Sequence, residues 1–277
     1  MSTVTAPAGM ASAVADNSAR LMKSAGQGLF NFFGGLAILF VLWWAGIELL
    51  ARNTATAQFA SFGPISALRA LATVWHQGLA QSAIAATAYR LGLGLLIAIA
   101  IGVPVGILMG RSRTFRELSN APFQLLRMVS PLSWEPIAVI VFAGWNQTIV
   151  FLIAVASVWP IAFATAAGLA KVDPAWFKVA RNLGARPWHM LFTIILPAIA
   201  QDTLTGIRLA VGVAWVVLVP AEYLGVTSGL GYAINDARDA LEYDRLAATV
   251  VIIGFIGFTL DYLCEQAIRR ASWIREE

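Results

Sequence analysis

Three ionisable side chains, Arg127, Glu135 and Arg208, fall inside long apolar runs of this 277-residue chain. A charge in hydrocarbon is expensive, so each is a candidate for a solute pathway or for a paired structural contact. Glu135 stands between Pro131 and Pro136, where backbone groups are released from helix bonding. It could line a pathway or be a satisfied structural acid, and it sits oddly with an anionic solute because like charges repel. Arg127 precedes it by eight residues and could lie on the same side. Arg208 could meet an anion or pair with Asp202. Ser130, Ser133 and Trp134 supply two hydroxyls and an indole N–H, donors able to hold an oxyanion without a fixed charge. Weak contacts of this kind suit transport, since a tight site slows release. Helix packing is the plain alternative for all three.

The usual catalytic sets are missing. Only His76 and His189 are present, neither inside an apolar run, and there is no Gly-x-Ser-x-Gly elbow and no His-Glu-x-x-His pair. A Gly-x-x-x-x-Gly-Lys-Ser/Thr phosphate loop is also absent, so ATP hydrolysis by that chemistry needs another chain. The single cysteine, Cys264, excludes an intramolecular disulfide framework and a cysteine-built zinc site. These points argue against an enzyme and against a metal centre.

The elements that position these residues follow from composition. Hydrophobic residues make up 59% of the chain and charged residues 12%, about half the roughly 25% of a soluble domain. That is too little charge for a water-facing surface, so the natural solvent is lipid. A net charge of +4 does not imply a nucleic-acid partner, because the basic residues lie between apolar runs and form no single patch. Crossing a hydrocarbon core takes about 20 apolar helical residues. Six runs qualify, at 29–51, 82–109, 122–145, 148–169, 198–223 and 247–268, the third being interrupted by its prolines and Glu135. The expected fold is all-α, with residues 1–27 as a flexible cytoplasmic tail and 28–277 as a transmembrane domain. The run after Arg20 and Lys23 is too long for a cleaved signal peptide and reads as a retained first helix.

Orientation follows from Lys and Arg. With the N-terminus inside, inner segments carry twelve: Arg20, Lys23, Arg111, Arg113, Arg116, Lys171, Lys178, Arg181, Arg186, Arg269, Arg270 and Arg275. Outer segments carry four: Arg52, Arg69, Arg238 and Arg245. Both termini are therefore expected in the cytoplasm. In the second run Ala98, Gly102, Gly106 and Gly110 recur at spacing four, on one helix face. Small residues there let another helix approach closely. The face serves either ordinary helix packing or a dimer or pore seam.

Between the fourth and fifth runs lies a polar insertion, roughly 170–193. Asp173 is placed to cap a helix that opens at Pro174. Val179, Ala180 and Leu183 fall on one face with Trp176, and Gly184 is placed to end the helix. A second short helix is expected from Pro187, with Trp188, Leu191 and Phe192 on its apolar side. The insertion then reads Lys178-Val179-Ala180, three residues, Gly184, nine residues, and Ile194-Ile195-Leu196-Pro197.

That spacing resembles the cytoplasmic motif of permease subunits of binding-protein-dependent ABC importers, Glu-Ala-Ala, three residues, Gly, nine residues, Ile-x-Leu-Pro. Lys178 replaces the Glu and Val179 the first Ala. The resemblance extends over roughly 82–270. Within it Tyr89-Arg90-Leu91-Gly92, Gly206-Ile207-Arg208-Leu209, Ala221-Glu222 and Gly229-Leu230-Gly231-Tyr232 are similar to the nitrate/sulfonate/taurine/bicarbonate group. The run Ser130-Pro131-Leu132-Ser133-Trp134 is most like the nitrate and bicarbonate members. The resemblance implies a type I importer permease fold and a coupling helix within 170–197. Trp176, Lys178, Val179, Ala180, Arg181, Gly184, Ala185 and Pro197 are then the residues that meet an ATPase. It also implies ATP and Mg bound by that partner rather than by this chain, a periplasmic or lipid-anchored solute-binding protein, a second permease copy, and residence in the bacterial inner membrane. The acidic residues of the outer segment 222–245, Asp236, Asp239, Glu242 and Asp244, then form either a docking face for the binding protein or a solvated face. The expected solute is a small oxyanion such as nitrate or bicarbonate, with a sulfonate such as taurine next. A secondary transporter would need coupling residues and often shows internal repeats, and no repeat is evident. A channel or scaffold subunit gives the loop spacing no role.

Overall fold

The computed structural model describes residues 8–52 and 56–273. Residues 1–7 of the expected tail and Arg275 of the basic C-terminal group lie outside them. Every regular element among the described residues is helical. The chain forms two compact units, Met1–Leu68 and Arg69–Glu277.

In the first unit α1 runs from Ala8 to Ala51, so residues 8–27 belong to a helix. Its stretch Phe30–Ala51 is apolar and long enough to cross a membrane. Phe30, Leu39 and Leu42 are exposed, as suits side chains solvated by hydrocarbon. A 3-10 turn, Ala57–Phe62, follows, and the boundary between the units falls within α2 (Pro64–His76).

The second unit comprises α3 (Leu79–Arg111), α4 (Arg113–Met128), α5 (Glu135–Val141), α6 (Trp145–Ala170), α7 (Pro174–Asn182), α8 (Pro187–His189), α9 (Leu196–Gly225), α10 (Leu230–Asp239) and α11 (Tyr243–Trp273). With α1, five stretches are long and apolar enough to span: α3, α6, the continuous run Pro187–Gly225, and the Tyr243–Arg270 part of α11 complete the set. The third expected crossing is not one helix. α4 ends at Met128, Val129 and Ser130 are extended, a 3-10 turn covers Pro131–Trp134, and α5 then begins. Pro131 lacks an N–H and pushes Ser130 out of the helical region, which breaks the helix there.

α6 is the central helix. α3 lies parallel to it, with Gly94 against Ile153, Gly102 against Ile161, Gly106 against Thr165 and Gly110 against Leu169. A Cβ on Gly106 would overlap the Ala162 carbonyl, so the two backbones touch. Lipid-solvated helices gain no hydrophobic driving force from pairing, and such contact is what holds them together. α9 lies antiparallel to α6 and touches α3 as well: Thr165 meets Thr203 at 3.1 Å, Ser157 donates to the Ala210 carbonyl, Gly225 abuts Trp145, and Ala98, Ile161 and Ala210 cluster where the three helices meet. Leu91, Ile149, Leu152, Ile153 and Leu218 fill the space between them. α11 packs on α9, with Gly257 against Trp215. The unit thus has one end carrying α7 and another carrying the turn from α9 to α10.

Candidate functional site: the α7 loop, a cavity and a buried polar knot

At the first end α7 is fixed at both termini. Asp173 accepts a hydrogen bond from the Ala175 N–H at 2.8 Å. At the other terminus Gly184 takes φ +76°, and the Ala185 N–H reaches back to the Ala180 carbonyl at 3.0 Å. That closure needs a left-handed residue, which glycine adopts without a Cβ penalty. Ala180 is not on the outward face with Trp176, as the spacing suggested. It is buried against Leu169, Met190, Ile195 and Ile199, with Phe177 and Ala185 beside it. Trp176, Val179 and Leu183, at i, i+3 and i+7, point away, and Leu183 is 82% exposed. Lys178 and Arg181 are exposed beside this stripe. The second expected short helix is not separate. Pro187–His189 runs through a π-helical stretch, Met190–Ile195, directly into α9. The wider turn relieves the clash that Pro197 would otherwise make with the carbonyl four residues earlier. Pro197 itself is exposed.

Midway along α9, a cavity of about 900 Å³ is lined by Ser130, Leu132, Thr205, Arg208, Val216 and Asp261 among others. A second lobe of about 380 Å³, lined by Arg127, Val155, Trp159 and Pro160, shares Pro131, Leu209 and Val213 with the first. Arg208 does not pair with Asp202. Six positions on a helix of 3.6 residues per turn put the two on different faces, and Lys171 takes Asp202 instead. Arg208 donates to both oxygens of Asp261, at 2.8 and 2.7 Å, and to Glu265 at 3.3 Å. Arg127 lies over the Phe163 ring, 5.2 Å from its centroid. Ser133, Trp134 and Glu135 line neither lobe. Trp134 packs on the Leu152–Leu218 core, and Glu135 opens α5, where a carboxylate favours the helix N-terminus.

At the opposite end lies a polar knot. Glu222 of α9 is fully buried and accepts from Arg90 of α3 at 2.5 Å, from Thr87 at 2.9 Å and from the Gly231 N–H at 3.0 Å. Arg90 also donates to Asn146, to the Ser228 carbonyl and to the Ser228 hydroxyl. Thr87 in turn accepts from the Leu230 N–H at 2.9 Å. Gly229, at φ +106°, lies so close that a Cβ would overlap the carboxylate. Every charge here is desolvated and every one is met, which is the condition for a buried pair to persist. The acidic residues beyond it are largely neutralised: Arg245 bonds Asp236 and Glu242, and Arg238 bonds Asp239.

The chain matches the model of the family described as binding-protein-dependent transport system inner membrane component over residues 102–272. It belongs to that family. Among its relatives, the taurine transport system permease protein TauC of Escherichia coli (strain K12) is 34% identical over 82% of this chain and 83% of the relative. The bicarbonate transport system permease protein CmpB of Synechococcus elongatus is 35% identical over 62% of each chain. The nitrate import permease protein NrtB of the same species is 33% identical over 63% of each. In fold, a solved inward-facing structure of the MetNI methionine ABC transporter aligns at TM-score 0.59 and 16% identity, over 70% of this chain and 95% of that one.

The chain is thus a membrane-embedded ABC importer permease, a transport subunit whose ATPase is a separate chain. Within the permease, the runs that carried the resemblance have structural places. Arg90, Glu222 and Gly229-Leu230-Gly231 from those runs converge on the knot, while Tyr89 stays exposed. Gly206-Ile207-Arg208 packs its glycine on α6 and turns its arginine toward the cavity. The knot was not foreseen as a site. Its signal was available as opposite charges near the same end of two different apolar runs.

Proposed function

We propose that two copies of this permease enclose a path for a small anionic solute and are driven by ATPase subunits seated on α7. The carrying observation is the Trp176–Val179–Leu183 stripe. It is an exposed apolar face, outside the membrane-spanning stretches, on a helix anchored at both ends, and such a face calls for a partner. A short rigid helix of this kind transmits ATPase closure as a rigid-body movement. In this reading the α7 end faces the cytoplasm, as the excess of Lys and Arg there requires. The knot end faces a solute-binding protein, and ATP and Mg belong to the ATPase.

A sulfonate such as taurine now stands before nitrate or bicarbonate as the solute, because the taurine permease aligns over more of this chain at similar identity. The arginine-lined cavity supports an anionic group in the cargo. Tagged permease expressed with its neighbouring transport genes is expected to bring down an ATPase. In proteoliposomes that complex is expected to take up radiolabelled taurine only with ATP and binding protein. Uptake that proceeds without any ATPase would identify a secondary transporter instead.

A further inference from the structure

The two lobes differ in how their charges are met. Arg208 is saturated by two carboxylates, Asp261 and Glu265. Among the described residues no carboxylate pairs with Arg127. Its polar neighbour is Gln124, at a marginal 3.5 Å, and its positive charge rests on the Phe163 ring. Both arginines lie beside the middle of α6 and α9, since Arg127 shares its lobe with Val155 and Trp159, and Arg208 with Gly212 and Val213. The Arg127 side chain is exposed on its lobe, with only Gln124 and the Phe163 ring beside it, so its fork is open to an arriving anion.

We propose that Arg127 is the residue that receives the solute's anionic group, with the shared Pro131–Leu209–Val213 wall holding the solute's body. This rests on the reading of the chain as an importer of anions. A guanidinium fork matches sulfonate, carboxylate and nitrate oxygens alike, two bonds at a time. Arg208 is unsuited to that part because Asp261 already occupies its fork. The arriving anion supplies the missing counter-charge, and the apolar wall adds little further hold. Binding is therefore brief, as transit demands.

The test uses the whole complex in proteoliposomes with ATPase and binding protein, offered taurine, ethanesulfonate and nitrate separately. Arg127→Gln is expected to lower uptake of whichever anion the unaltered complex carries by about tenfold or more. Stimulation of the ATPase by loaded binding protein should stay within about twofold. Arg127→Lys, which keeps the charge, should retain uptake within about threefold. Unchanged uptake in Arg127→Gln overturns the assignment while leaving the importer reading intact. Equal loss of uptake and ATPase stimulation in both variants shows a structural role and also overturns it. If the unaltered complex carries none of these three anions and no bicarbonate either, the anionic reading itself fails, and this site with it.

Discussion

Two of the arginine–carboxylate pairs that bridge helices of this permease, Arg90–Glu222 and Arg208–Asp261, are built in opposite ways. At the knot, Arg90 and Glu222 have 3% and 0% of their side chains exposed and are ringed by Thr87, Asn146, Ser228 and Gly231. In the cavity, Arg208 and Asp261 are 32% and 57% exposed and face open space. The geometry of the bonds is similar, but the surroundings are not. A desolvated pair cannot lose a partner without stranding a charge. An exposed pair that loses a partner leaves a charge that water can solvate, and it contributes little to holding the fold. One pair fixes α3, α9 and α10 to each other; the other joins α9 to α11 at the edge of the cavity.

The largest effect is therefore expected at the knot. Glu222→Gln leaves Arg90 buried without its counter-charge and should destabilise the purified permease by about 3–5 kcal/mol. Thermal unfolding in detergent measures this, and a loss under about 1 kcal/mol would mean the knot is not what fixes this end. Gly229→Ala comes next. It combines a left-handed backbone with overlap on the carboxylate and should cost about 1–3 kcal/mol by the same assay. At the other end Gly184→Val meets open space, so only the backbone conformation is strained, by roughly 1–2 kcal/mol. Its consequence should show in function: ATPase activity persists while uptake falls several-fold. Arg208→Gln is expected to leave the unfolding temperature unchanged and to alter uptake alone. A marked drop in stability there would erase the contrast between the two pairs.

The same contrast explains what could be read from the sequence. The long spans were legible because each is a local run, and the break in the third was foreshadowed by Pro131 and Pro136. The first half of the loop was legible for the same reason, since Asp173, Pro174 and Gly184 act within a few residues of themselves. Contacts between distant helices were not. Arg208 was matched to Asp202, six positions away, when its partner Asp261 lies on another helix. Glu222 passed unweighed because Arg90 stands 132 positions before it. The inward turn of Ala180 was hidden too, because local spacing does not say which side of α7 the remaining helices cover.

In the proposed mechanism α7 passes ATP-driven movement into the spans from one end while the knot holds the other. Site-directed cross-linking addresses it most directly. With Cys264 replaced by Ala, Leu183→Cys on the α7 stripe and Leu241→Cys beyond α10 are compared in the assembled complex, both positions being well exposed. The account predicts that Leu183→Cys cross-links to the ATPase and Leu241→Cys to the binding protein. An ATPase cross-link from Leu241→Cys, with none from Leu183→Cys, would contradict it.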